Sequence, residues 1–137
     1  MTVAELDAFL RSELPWMFNN GSFVIECADG QTCRIRQRFH ESMLRPGGIV
    51  SGAALMTLAD VAMYVVVLSA IGPVAMAVTT NLNINFLRNG ASGQDLMACA
   101  RLMKLGRRLA VGEISLLSGA SPDFIAHTTA TYSIPNK

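Results

Sequence analysis

The sequence predicts an α+β domain: a six-stranded, curled antiparallel sheet wrapped around one long central helix, preceded by a short N-terminal helix. Three observations point there. Residues 49–71 are apolar almost throughout. Segments alternating apolar and polar residues flank that run and are separated by short turns. The length of 137 residues suits a single domain, 1–137, with one core. A helix apolar on every side cannot lie on a flat sheet with half its surface in water, so the sheet is expected to curl around it.

Thr2 and Glu5 have capping-box spacing, and Val3, Leu6, Phe9, Leu10 and Leu14 recur at helical intervals up to Pro15. Phe23, Ile25 and Cys27 then alternate with Val24 and Glu26, Asp29-Gly30 suits a hairpin turn, and residues 33–39 alternate apolar with polar. This is a hairpin with one wet face. Residues 40–48 (HESMLRPGG) are turn-rich and lead into the long helix, which Gly72-Pro73 stops. Residues 77–87 place Val78, Leu82, Ile84 and Phe86 on one strand face, with Thr80 between, and Thr79, Asn81, Asn83 and Asn85 on the other. Asn89-Gly90 and Ser92-Gly93 turn the chain into 95–105, whose Ala, Met and Leu content favours helix by propensity, although the spacing of turns assigns it as strand. Residues 109–117 and 124–134 complete the six strands, and short turns between the last four make an antiparallel meander the simplest topology.

Hydrophobic residues make up 51% of the chain and charged ones 15%, with 11 basic against 10 acidic side chains. A net charge of +1 gives no field that would draw in nucleic acid or an anionic bilayer, and neither partner is expected. So much apolar surface behind so few charges predicts subunit interfaces. Cys27, Cys33 and Cys99 are odd in number and lack metal-site spacing. Cys27 and Cys33 could face each other across the hairpin, but packed thiols in a reducing compartment are the expectation. Residues 1–7 carry acids where an export signal would carry Lys or Arg, which points to a cytoplasmic chain.

Between Arg45 and Arg88 the only charged side chain is Asp60, near the middle of the apolar run. The run is long enough to cross a membrane, yet a mid-bilayer Asp costs roughly 2.5 to 3.5 kcal/mol and the flanks lack a Lys/Arg cluster. Wrapped by protein instead, an ionised Asp60 must be paired, protonated or used. A structural role would have it satisfied by Thr57, Tyr64 or a strand amide. Gly47, Gly48 and Gly52 let backbone approach a ligand, and first-turn N–H groups without intrahelical acceptors can receive a carbonyl oxygen that becomes an oxyanion. The plainer alternative is a turn with Ser51 as the cap. Asp60 lies about 12 Å beyond Gly52 along the axis. One carbonyl cannot be served by both within one subunit, but two such helices packed antiparallel about a twofold would pair the Asp60 of one with the Gly52 amide of the other.

The run Gly48-Ile49-Val50-Ser51-Gly52-Ala53-Ala54-Leu55-Met56-Thr57-Leu58-Ala59-Asp60, followed by Thr79-Thr80-Asn81-Leu82-Asn83-Ile84-Asn85-Phe86-Leu87-Arg88, resembles the hotdog-fold acyl-CoA thioesterases of the phenylacetate-pathway (PaaI-like) type. The resemblance implies a hydrolase acting on acyl-CoA as a homodimer with shared sites, associating further into a homotetramer, without a metal or cofactor. It implies Asp60 as general base or nucleophile, the Gly52 amide as carbonyl polariser, and Thr79 as the hydroxyl beside the attacking group. Strict alternation turns Thr80, not Thr79, toward the helix, and a bulge would reconcile the two. Ser51-Gly52-Ala53 stands where the family commonly has His-Gly-Gly, and Arg45 where it commonly has Asn.

Candidate substrate-binding residues are therefore Arg45, Gly48, Ser51, Met56, Met63 and Tyr64. Arg45 is expected to meet a substrate carboxylate or CoA phosphate. Met56 and Met63 are either core filler or the lining of an adaptable acyl tunnel. Arg88, Arg107 and Arg108, with Arg101 and Lys104, are candidates for the CoA phosphates or else a solvated rim. His40 and His127 have no partners in a recognisable catalytic arrangement. The alternative to a thioesterase is a non-catalytic acyl-CoA-binding protein of the same fold. A hydratase or dehydratase ranks last, because the central helix has no His.

Overall fold

The computed structural model describes residues 1–135. Thr2 caps helix α1 (Val3–Glu13) with the expected box, its hydroxyl accepting from the Glu5 amide and the Glu5 carboxylate accepting from the Thr2 amide. Pro15 divides the expected helix: lacking an N–H, it serves as the first residue of a one-turn helix α2 (Pro15–Phe18). Leu6, Leu10 and Phe18 are fully buried.

Strands β1 (Phe23–Ala28) and β2 (Thr32–Gln37) form the hairpin, with the Asp29 carboxylate accepting from the Gln31 and Thr32 amides across the turn. A bulge between Ile25 and Cys27 pairs Cys27 with Arg34 and Cys33 with Ala28, so the two thiols do not face each other. All three cysteines are free, and burial pushes the Cys33 thiol up to about 12.

The apolar run is not one element. Ile49–Val50 is a short strand, β4, paired with β3 (Leu44–Arg45), and helix α3 (Gly52–Ile71) begins after the Ser51 cap. The Val50 amide bonds to the Gly90 carbonyl at 3.1 Å, and this distant partner draws residues 49–50 out of the helix.

Strands β5 (Val78–Phe86), β6 (Leu96–Leu105), β7 (Leu109–Ser118) and β8 (Phe124–Ser133) follow. The β6 segment is extended despite its helix propensity, because Leu96, Ala98 and Ala100 are buried beneath α3. The sheet order is β1-β2-β6-β7-β8-β5. The meander therefore holds for β6, β7 and β8 only. Residues 87–95 carry the chain across one end of the sheet, pinned by the Leu87 and Arg88 amides on the Ile125 carbonyl, and β5 takes the outer edge beside β8.

The wrapping of α3 is also partial. Leu58, Ala59, Ala62, Met63 and Val65 to Leu68 are fully buried, while Ala53, Met56 and Thr57 are exposed and Asp60 and Tyr64 half-buried. These last five follow helical spacing and form one open stripe. The helix is long and apolar enough to cross a membrane, yet 61% of its most apolar window is buried within the protein, so the sheet takes the place of lipid. A curled antiparallel sheet around one long helix is the hotdog fold.

Candidate active site

Asp60 sits where the open stripe of α3 meets the edge of the sheet. Two hydroxyls converge on it. Tyr132, on the inward face of β8, donates to Oδ1 at 2.9 Å and to the Asp60 backbone carbonyl at 3.1 Å. The Thr79 hydroxyl, from β5, donates to the same Oδ1. Thr79 reaches it through a bulge: Thr79 pairs with Tyr132 and Asn81 with Thr131, leaving Thr80 as the extra residue. Leu82 and Ile84 can then face the helix together with Thr79, although their numbers differ in parity.

The partners of Asp60 are thus not those expected of a purely structural aspartate. The Thr57 hydroxyl bonds to the Ala53 carbonyl, and the Tyr64 hydroxyl to the Ala75 carbonyl at 3.0 Å. Tyr64 instead stacks on Tyr132, ring centroids 6.1 Å apart. Burial, and then the Asp60 charge, push the Tyr132 phenol far above its ordinary range, so it remains protonated and a donor. Burial also raises the Tyr64 phenol.

Asp60 opens into a cavity of about 450 Å³. Its polar end is Thr57, Asp60, Thr79 and Tyr132, and Leu14, Met17, Val61, Tyr64, Ala77 and Val78 make most of the rest. A carboxylate at the end of an apolar pocket can act on a carbonyl whose substituent fills that pocket. Tyr132, Leu14 and Met17 carry no sequence signal of their own as site residues. Alternation along β8 could have turned Tyr132 toward the helix, but nothing local ties residues 14–17 to residue 60.

The remaining candidates divide. Gly52 opens α3, and the Phe86 ring lies so close that a Cβ there would meet Cζ at 3.1 Å. Ser51 caps the helix, its hydroxyl accepting from the Ala54 amide. Gly48, with φ +74, and Arg45 lie in the exposed segment before it, away from the cavity lining. Met63 does not line the cavity: it is fully buried and aims at β7, where a Cβ on Gly112 would stand 2.8 Å from its Sδ. Position 63 is three residues beyond Asp60 and turns toward the sheet. Met56 is 44% exposed on the open stripe, also outside the cavity lining.

The arginines are not one cluster within the chain. Arg88 follows the far end of β5 and faces Asp123 at 3.9 Å, whereas Arg107 and Arg108 lie in the β6–β7 turn, by the Val78 end. Arg101 pairs with Glu113, which also meets His127 at 3.2 Å, and His40 caps a turn at Ser42. Among the described residues, no three His, Cys, Asp or Glu side chains gather as a metal site.

Comparison with known proteins identifies the family. A proposed thioesterase from Silicibacter sp. TM1040 superposes with a TM-score of 0.90 at 43% identity, over 99% of this chain and 93% of that one. A proposed esterase from Halobacterium salinarum is 36% identical over 105 residues, 73% of this chain and 68% of its own length. The Escherichia coli PaaI protein of the phenylacetic acid degradation operon shares the fold, with a TM-score of 0.74 at 22% identity over 95% and 90% of the two chains. The profile of the thioesterase superfamily matches residues 47–122, more than half of the sequence, and the chain belongs to that superfamily.

Proposed function

We propose that the protein is a cytoplasmic acyl-CoA thioesterase that needs no cofactor and works as a homodimer with shared sites. The observation that carries this reading is the Asp60 carboxylate, held by Thr79 and Tyr132 at the polar end of an apolar cavity. The acyl chain lies in the cavity and its thioester carbonyl beside Asp60. With Asp60 as base, it takes a proton from water as the water oxygen bonds to the carbonyl carbon. The C–S bond then breaks, the thiolate takes up a proton, and a carboxylic acid and free CoA result. With Asp60 as nucleophile, its oxygen bonds to the carbonyl carbon, CoA leaves as the thiolate, and water hydrolyses the resulting anhydride. Hydrolysis in ¹⁸O-water under single turnover separates the two, because only the anhydride route puts label into Asp60 when its own carbonyl is attacked.

The carbonyl polariser is the Gly52 amide of the partner subunit, since Gly52 and Asp60 of one helix stand about 12 Å apart along the axis. The open stripe of Ala53, Met56 and Thr57, together with the edge strand β5, where Val78 and Phe86 are about half exposed, is the surface for that partner. Dimers associate further into tetramers. Arg88, Arg107 and Arg108 meet the CoA phosphates, with Arg88 supplied across the twofold, and Arg45, Gly48 and Ser51 border the thioester.

Asp60→Asn should lower thiol release from acyl-CoA at least 100-fold with the melting temperature and oligomeric state unchanged. Full activity in that variant would end the proposal. Binding of short, long and aromatic acyl-CoAs without thiol release by the native protein would favour the non-catalytic alternative, which gains weight from Ser51 spending its hydroxyl on the helix cap.

A further inference from the structure

Asp60 has two carboxylate oxygens, and the structure treats them differently. Both hydroxyl donors reach Oδ1: the Tyr132 phenol at 2.9 Å and the Thr79 hydroxyl. Among the described residues no donor is bonded to Oδ2. We infer that Tyr132 is a positioning residue which, with Thr79, fixes Oδ1 and presents Oδ2 to the reacting thioester. The inference rests on the thioesterase reading and goes beyond it, because it assigns the reactive oxygen and the group that selects it.

The placement of the phenol supports this. Tyr132 is 3% exposed, stacks on Tyr64, and also donates to the Asp60 backbone carbonyl at 3.1 Å. One rigid ring therefore holds both the side chain and the main chain of the aspartate. A carboxylate fixed by a single donor can still rotate about its Cβ–Cγ bond and exchange its oxygens. Two donors arriving at one oxygen from neighbouring strands β5 and β8 remove that freedom. The lone pairs left on Oδ2 then take the proton from water, or bond to the acyl carbon, without first breaking a hydrogen bond.

Tyr132→Phe keeps the ring and removes only the hydroxyl. Thiol-release kinetics on a panel of acyl-CoAs should show kcat lowered about 10- to 100-fold, the size expected for a lost hydrogen bond to a charged group, with KM within about twofold. A merely structural phenol would lower the melting temperature and leave kcat per folded molecule as it was. If Tyr132→Phe does not fold, 4-fluorophenylalanine placed at position 132 keeps the ring and fills most of the hydroxyl's space without a donor. It should lower kcat about 10- to 100-fold with KM within about twofold, and an unchanged kcat would count against the inference. An unaltered kcat in Tyr132→Phe, with activity lost in Asp60→Asn, overturns the role of Tyr132 and leaves the thioesterase standing. Activity retained in Asp60→Asn removes both.

Discussion

The two halves of α3 are both largely apolar and have opposite surroundings. From Val61 to Leu68 the helix is buried except at Tyr64. From Gly52 to Asp60 the sheet covers one side only, and Ala53, Met56 and Thr57 stand in water. The first half holds the fold together. The second holds the one carboxylate of the helix and the apolar surface around it, so on the proposed function most of the core and the reacting group lie in different halves of a single element.

Substitutions can break or sharpen that separation. In the closed half, Met63→Ala should destabilise the protein by about 2–5 kcal/mol in denaturant melts, because it removes a fully buried side chain packed on Gly112 and leaves a cavity. Turnover per folded molecule should be preserved, and a large loss of kcat would show that the halves are coupled. In the open half, Met56→Lys should leave the stability of the protomer within about 0.5 kcal/mol. It should weaken self-association about 10- to 100-fold by analytical ultracentrifugation, with thiol release falling in parallel, since the partner's Gly52 would be lost. Activity retained in a monomer would break the shared-site geometry.

Met17→Ala changes the cavity without touching Asp60. It should shift kcat/KM a few-fold toward longer acyl chains, read as the ratio between two chain lengths. The smallest effect lies on the outer face of the sheet. Arg101, and then His127, hold the Glu113 carboxyl below its ordinary 4.5. Its contribution to stability is therefore complete above about pH 4.5 and lost as the pH falls through the lower folded value. The exposed setting keeps it small. Denaturant midpoints of Glu113→Gln should fall less than those of the native protein over that acid range.

The sequence carried local information faithfully and long-range information poorly. The Thr2–Glu5 box and the Asp29-Gly30 turn depend on residues a few positions apart, and each is where the pattern places it. Asp60 stands out because it is the one charge in an apolar run, and its link to Thr79 came from resemblance, through a bulge that alternation alone does not reveal. The open stripe is only partly marked: Thr57, Asp60 and Tyr64 fall on it at helical spacing, but Ala53 and Met56 are as apolar as the buried positions. Residues 49–50 and β5 take their places from Gly90 and β8, partners far along the chain. Tyr132 lies seventy-two positions from the aspartate it touches, a pairing that only the sheet order creates.

The surplus threonine at position 80 has a further meaning. Thr79 lies opposite Tyr132 and Asn81 opposite Thr131, so removing Thr80 would leave every other pair between β5 and β8 in place. The inserted residue is redundant to the ladder. What it changes is local twist, and with it the direction of the neighbouring hydroxyl. A protein shortened by that one residue would keep its architecture and lose its aim.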